Sequence, residues 1–403
     1  MMGGNMKVLM FGWEFPPLSS GGLGTACYGL TKGLSRKGIE ITFVLPYSFD
    51  ADNADFVKLI SAGNVKIRKI ASALQPYMSS QEYKKSFGKK QGPKIYGSTL
   101  FDEVYRYTLA AEKIAEEEDF DVIHCHDWMT FGAGVRAKKK KNRPLVLHVH
   151  ATELDRTGGH QVNQHVYDLE RDGMNKADQI IAVSNFTKNK IMDHYGVPSE
   201  KIKVVHNAVD FSEHCSDEDF KIKNTDKVVL FLGRITLQKG PDYFVYAAKK
   251  VLEHEKNVKF IIAGSGDMEP FIIEKAAELG IADKVLFAGF LNQEDVERAY
   301  KMADIYVMPS VSEPFGITAL EAMKNKAPVI VSKQSGVSEV IRHCLKVDFW
   351  DVNELSSKIL SLLRYNPLHE ALKENAYFEV KKFNWDIPAE KCIDVYNELI
   401  SKG

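Results

Sequence analysis

The chain has 403 residues, of which 44% are hydrophobic and 27% charged, with a formal net charge of −1; that length suits two domains rather than one core. So even a charge balance encodes no global pull toward nucleic acid or an anionic membrane, and neither is expected as a partner. Five scattered cysteines without a CxxC pair argue against a disulfide framework or a zinc ribbon and point to a reducing compartment.

The first residues, MMGGNMKVLMFGWEF, carry no signal-peptide stretch, and no apolar run approaches membrane-spanning length. A cytoplasmic location without membrane contact is therefore expected. Met6 stands immediately before the first strand and is an alternative start. From there, short apolar runs alternate with amphipathic segments, the rhythm of a parallel sheet wrapped by helices. Strands are predicted at KVLMFG, ITFVLP, DVIHCH, PLVLHVH, QIIAVS and IKVVHN, with helices over 22–36, 100–118 and 163–176. Residues 72–98 show little periodicity and read as a loop excursion. Lys138 to Lys141, the one basic block, falls between a helix and a strand and reads as a solvated turn.

The polar stretch FSEHCSDEDFKIKNTDK, residues 211–227, marks a domain boundary. It assigns residues 1–212 to one Rossmann-like domain and 213–384 to a second. The second half repeats the rhythm, with strands at VVLFLGR, VKFIIAGS, KVLFAGF, IYVMPS and APVIVS. The fold class is therefore α/β: two doubly wound units, whose ligands bind at the carboxyl ends of the strands. The helix over 385–403, with Ile387, Cys392, Val395 and Leu399 near one face, is expected to pack back on the first domain.

Four constellations at strand ends carry chemistry. PPLSSGGLGTACYGL, with Gly21, Gly22 and Leu23, is a glycine-rich turn leading into a helix, where backbone amides can approach an anion. It matches neither GxGxxG nor GxxxxGK[ST], so hydride transfer and nucleotide hydrolysis lose support. HCHDW supplies His124, His126 and Asp127, and LHVHATELDR supplies His148 and His150. Residues two apart in a strand share a face, yet no third and fourth metal ligand stands at close spacing, so no metal is assigned. GRITLQKG offers Arg234 and Lys239, a planar fork and a compact ammonium that together suit a diphosphate. EPFGITALE places Glu313 just before a helix and Glu321 in its second turn. The amides of Phe315, Gly316 and Ile317 beside the Glu313 carboxylate form a receptor for a polyol, with donors and acceptors side by side.

Glu313 and Glu321, with seven residues between them, resemble the E-x7-E motif of retaining glycosyltransferases of the GT-B fold, and GRITLQKG resembles their diphosphate clamp. VSNFTKNKIMDHYGVPSEKIKVVHNAVD is similar to their segment leading out of the first domain. PPLSSGGLGTACYGL resembles their N-terminal glycine loop, and HCHDW a feature of glycogen and starch synthases. The resemblance, which runs from Lys7 to about Leu399, is to glycosyltransferase family 4, near the glycogen synthase and sucrose synthase group.

It implies two Rossmann-like domains facing a central cleft. It also implies transfer of a hexose, glucose in the first instance, from a nucleotide sugar such as UDP-glucose or ADP-glucose to a glycan, without cofactor or metal. By that resemblance Arg234 and Lys239 hold the donor diphosphate, with Gly22 close to the phosphates. Glu313 and the Phe315 and Gly316 amides hold the sugar, Glu321 the ribose, and His150 the sugar near the reacting carbon. Asp127 lies near the sugar or acceptor. Gly264, Gly266, Phe290 and Leu291 contact the base.

Two departures stand out. Ser19 occupies the position of a lysine found in bacterial and plant glycan synthases, and EVIRHCLKVDFWDVNEL lacks the family's HGxNG turn. Ser19 and the Lys138 to Lys141 run keep a small sugar, sugar-phosphate or lipid-linked acceptor open. A nucleotide-sugar epimerase of the same fold would lack E-x7-E, and a catalytically inactive glucan-binding protein would not need every polar residue above.

Overall fold

The computed structural model describes residues 6–16, 21–47, 65–71, 100–159, 161–211 and 226–402. Ser19, Cys215, the loop excursion over 72–98 and most of the expected domain boundary lie outside the described residues.

Two parallel sheets organise the molecule. The first takes β1 (Lys7–Phe11), β2 (Glu40–Tyr47), β3 (Val65–Ala71), β4 (Val122–His126), β5 (Leu145–Val149), β6 (Gln179–Ala182) and β7 (Ile202–Val204) in the order β3-β2-β1-β4-β5-β6-β7. The second takes β8 (Lys227–Leu232), β9 (Val258–Ala263), β10 (Val285–Gly289), β11 (Ile305–Met308), β12 (Val329–Ser332) and β13 (Leu345–Val347) in the order β10-β9-β8-β11-β12-β13. In each, the chain starts mid-sheet, winds to one edge, then crosses back and winds to the other. This is the doubly wound α/β arrangement expected. β4, β5 and β6 are buried throughout, as helices on both faces require, so the polar residues His124, His126, His148 and Gln179 that interrupt their apolar runs are carried into the interior.

Four sequence readings need correction. β3 and β13, both sheet edges, were not anticipated. In β3 apolar residues alternate with Lys66 and Arg68, which pair with Glu118 and Glu117 at the end of the neighbouring helix and so read as loop chemistry. β13 spans three residues, too few for a period. Lys138 to Lys141 form the last turn of the helix Trp128–Lys141 instead of a turn beyond it. Lys138 pairs with Asp178 and Lys140 with Glu116, and cations there also complement the helix dipole. Ile387 faces solvent, 44% exposed, because the buried stripe of the helix Asp386–Ile400 runs through Pro388, Ala389, Cys392, Val395 and Tyr396.

That last helix follows the second sheet in sequence but packs on the first helix of the chain, Gly22–Arg36. A methyl group on Gly29 would lie 2.1 Å from Trp385 Cε2, so a glycine there is what lets the two helices touch. Arg36 pairs with Asp386 at 2.6 Å and Lys37 with Glu390 at 2.5 Å along the rim. Among the described residues no helix is long and apolar enough to cross a membrane.

Candidate active site

Doubly wound sheets offer ligands the loops after the strands that flank the topological switch point. Those strands are β8 and β11 in the second sheet and β1 and β4 in the first, and all four constellations of the sequence fall on them or on the adjacent β5.

In the second lobe the loop after β8 carries Arg234 and Lys239, and the loop after β11 carries Glu313. Lys239 Nζ donates to the Glu313 carboxylate at 2.5 Å, and Ser310 Oγ donates to the same oxygen at 3.1 Å. Arg234 Nη2 donates to Gln238 Oε1 at 3.1 Å, while Gln238 Nε2 donates to the Ser312 carbonyl at 3.1 Å. The two loops are thus cross-linked by side chains. Gly316, at φ +107°, starts the helix Ile317–Lys324 with no side-chain cap. The first amides of a helix have no intrahelical acceptor, so a positive helix end lies beside Glu313. Thr236 Oγ1, in the loop after β8, is buried with no partner among the described residues.

Gly264 and Gly266 follow β9. A methyl on Gly264 would fall 1.9 Å from the Gly233 carbonyl oxygen, and one on Gly266 2.2 Å from that of Ile235. Their small size is needed for the β9 loop to lie against the β8 loop, a packing reason that stands beside any contact to a ligand. Phe290 is 70% exposed and Leu291 half-buried, so the end of β10 presents an accessible aromatic face. Glu321 receives the Tyr300 hydroxyl at 3.1 Å. Burial raises its carboxyl above the usual range, against the opposing hydrogen bond from Tyr300 and the charge of Lys324.

In the first lobe Gly21 precedes the helix Gly22–Arg36, which has no side-chain cap. Among the described residues nothing lies within 4 Å of a methyl placed on Gly22, and Leu23 is half-buried. Asp127 follows β4 and starts the next helix at φ +60°, a strained region for a residue with a Cβ. Its Oδ1 accepts the His150 amide at 2.7 Å and the Ala151 amide at 3.2 Å. One oxygen of that carboxylate therefore holds the end of β5. Burial pushes its pKa up to about 7, with Arg156 and the two amides opposing.

His150 Nε2 and His126 Nδ1 share a hydrogen bond of 2.9 Å, and burial depresses the His150 pKa to about 3. The ring is neutral at physiological pH, so of its two nitrogens one donates and the other accepts. Beneath this pair, His124 Nε2 and His148 Nδ1 are 3.2 Å apart, and the Tyr396 hydroxyl of the last helix is 2.5 Å from His124 Nδ1. His150 Nδ1, His126 Nε2 and His148 Nε2 are buried without partners among the described residues.

Sequence spacing offered the histidines no third ligand; the fold supplies Cys27, whose sulfur and one nitrogen each of His126 and His150 lie within 4.8 Å of one another. Ser310, Gln238, Tyr300, Tyr396 and Cys27 were all missed as neighbours of the site. Each reaches it from a distant part of the chain or from an unmarked loop position, and no local motif signals that. The lobes meet at these same loops: the short helix Glu153–Arg156, just past His150, abuts the Leu237–Lys239 turn.

Comparison with known proteins agrees with this geometry. The chain matches Glycosyltransferase Family 4 over residues 20–213 and Glycosyl transferases group 1 over residues 215–378. It is 31% identical to an uncharacterised glycosyltransferase of Methanocaldococcus jannaschii, covering 97% of this chain and 98% of that one. It is 25% identical to a glycogen synthase of Mycobacterium tuberculosis over 83% and 80% of the two chains. Among solved structures, the Anabaena protein HepE in complex with UDP-glucose superposes with a TM-score of 0.70 at 18% identity, over 98% of this chain and all 100% of that one. A glycine loop, a cation pair and a spaced glutamate pair at the switch points of two facing doubly wound sheets, together with these matches, place the chain in the GT-B glycosyltransferases of family 4.

Proposed function

We propose that the chain is a retaining hexosyltransferase that moves glucose from a nucleotide sugar to an α-glucan, with neither metal nor cofactor. The observation that carries this reading is the 2.5 Å contact of Lys239 with Glu313 beside the uncapped helix end at Gly316, with Arg234 in the same loop. The glycogen synthase likeness and the UDP-glucose bound by HepE support the substrate class.

In this reading Arg234, Lys239 and the helix amides stabilise charge on the departing diphosphate as the bond from the anomeric carbon to its oxygen breaks. That is positive charge other transferases draw from a divalent ion. The acceptor hydroxyl attacks from the same face, and its proton passes to the leaving phosphate oxygen, so configuration is retained and no side-chain base is consumed. Glu313 and the amides of Phe315, Gly316 and Ile317 bind sugar hydroxyls. His150, held neutral, hydrogen-bonds the sugar near the reacting carbon. Glu321 binds the ribose, Gly21 to Leu23 approach the phosphates, and Phe290 and Leu291 border the base. Closure of the lobes excludes water and limits hydrolysis.

A second reading, a small sugar or sugar-phosphate acceptor, is favoured by Ser19 standing where the glycan synthases carry lysine. One experiment tests both: nucleoside diphosphate release from a panel of nucleotide sugars, alone and with maltooligosaccharides or sugar phosphates, and the anomeric configuration of the product by NMR. Lys239→Ala should lower turnover by about two orders of magnitude. Near-normal turnover in that variant removes the diphosphate role.

A further inference from the structure

Glu313 is gripped from the opposite lobe on both sides in sequence. On one side, Ser312 Oγ lies 2.6 Å from both Asp155 Oδ1 and Lys190 Nζ. On the other, the Pro314 carbonyl accepts the Ser184 hydroxyl at 2.6 Å and the Thr187 hydroxyl at 3.3 Å. Asp155, Ser184, Thr187 and Lys190 all belong to the first lobe, Asp155 just past β5 and the others in or capping the helix Asn185–Tyr195.

These are built contacts. Asp155 is fully buried and the Lys190 side chain 14% exposed, and the two form an ion pair. The second Asp155 oxygen is held by the Thr152 amide and hydroxyl, both at 2.8 Å, which fixes the orientation of the carboxylate. The helix bearing Lys190 is anchored from the other lobe as well. Glu339 accepts the Asn185 amide at 2.9 Å and the Phe186 amide at 2.5 Å, satisfying the donors that a helix start leaves open. The fit is close enough that a methyl on Gly336 would meet Ser184 Cβ at 2.4 Å and the Pro314 oxygen at 2.2 Å. From Ser312 the linkage continues inward, since its carbonyl holds Gln238 and Gln238 holds Arg234.

We propose that Lys190 and Asp155 are positioning residues, which act through Ser312 to set the Glu313 loop of the second lobe only when the first lobe is docked against it. This rests on the reading of Glu313 as a sugar-binding residue. Its consequence is that lobe closure and assembly of the donor site become one event: the loop reaches its working geometry when the lobes meet. Lys190 and Asp155 need touch no substrate for this. A purely structural bridge would change stability or donor affinity; a positioning bridge changes turnover.

The test uses the full-length enzyme with Ser312→Ala, Lys190→Met and Lys190→Arg. Ser312→Ala is the gentler cut, because it leaves the Lys190–Asp155 pair intact and strands no charge. We expect Ser312→Ala and Lys190→Met each to lower kcat about tenfold or more, with donor KM and nucleoside diphosphate affinity changed by less than about threefold. Lys190→Arg should recover part of the loss, and the Ser312→Ala/Lys190→Met pair should be non-additive. Near-normal kcat in both single variants, or a loss confined to KM, overturns the proposal. Hydrogen–deuterium exchange gives a readout independent of the reaction: exchange over 310–317 should rise in Lys190→Met. Unchanged exchange sinks the proposal even if no donor is ever turned over, whereas an inactive wild type with raised exchange in the variant sinks only the transferase reading.

Discussion

Glu313 and Glu321 are separated by two turns of chain and by very different surroundings. Glu313 shares its carboxylate with a cation and a hydroxyl, whereas Glu321 is held by one tyrosine and raised by burial. If Glu313 touches the sugar as it becomes cationic, its hydrogen bonds tighten in the transition state and appear in turnover; uniform contacts to a ribose appear in the Michaelis constant. Glu313→Gln should therefore lower kcat about a hundredfold without raising donor KM, because the substitution also releases Lys239 for the diphosphate. Glu321→Gln should raise donor KM roughly tenfold with little change in kcat, the effect of losing one charge-assisted hydrogen bond. Steady-state kinetics showing the reverse, or two neutral variants, would remove the assignment. Asp127 is read differently. Its folded pKa, pushed up to about 7 from 3.8, means the native state binds that proton more tightly than the unfolded chain. Stability from this group is present below about pH 4 and is lost as pH rises toward 7. Asparagine keeps the acceptor for the His150 and Ala151 amides and removes the buried charge. Asp127→Asn should melt higher than wild type at pH 8, with the gap closing by pH 5, while Asp127→Ala melts lower at both. An asparagine variant that melts lower at pH 8 would show that the carboxylate is needed ionised.

At the level of elements, the last helix shows how a site is completed by chain distant from it. Asp386–Ile400 closes over Gly22–Arg36 through Gly29 and Trp385, and Tyr396 touches the floor of the histidine cluster at His124. Gly29→Ala should destabilise the protein by about 1–3 kcal/mol through overpacking, seen in chemical denaturation. A neutral result would mean that the Trp385 ring has room to withdraw. The doubly wound class of both halves and the four site loops were legible in the sequence, because each is a local pattern: an apolar run, a glycine turn, a charge at the strand end. What was not legible is tertiary. β3 and β13 are edges that carry a half-polar or very short pattern. HCHDW marked Asp127 as a site residue, but only the neighbouring strand end reveals that its oxygen is taken by two amides. Gln238 and Ser312 looked like loop filler, and they are the link between the cation loop and the glutamate loop.

The whole molecule brings two lobes together around charges it supplies itself. Arg234, Lys239 and two helix ends without side-chain caps, one from each lobe, supply the positive charge for the region where the donor phosphates are proposed to lie. Activity should therefore survive exhaustive treatment with a chelator, measured as nucleoside diphosphate release against an untreated control. Among the described residues the fold nevertheless brings together two overlapping groups where soft-metal chemistry is available, Cys27 with His126 and His150, and His124 with His126 and His148. Thiolate and imidazole suit zinc. The two outcomes are thus separable on residues. If activity disappears in chelator and returns with zinc, and the restored activity is lost in Cys27→Ser, the metal-free reading is overturned and His150 becomes a ligand. If activity disappears in chelator and returns with manganese or magnesium, irrespective of Cys27, a hard ion on the diphosphate has replaced the role given to Lys239. Full retention, with Lys239→Ala still severely impaired, leaves the protein's own cations as the source of leaving-group stabilisation.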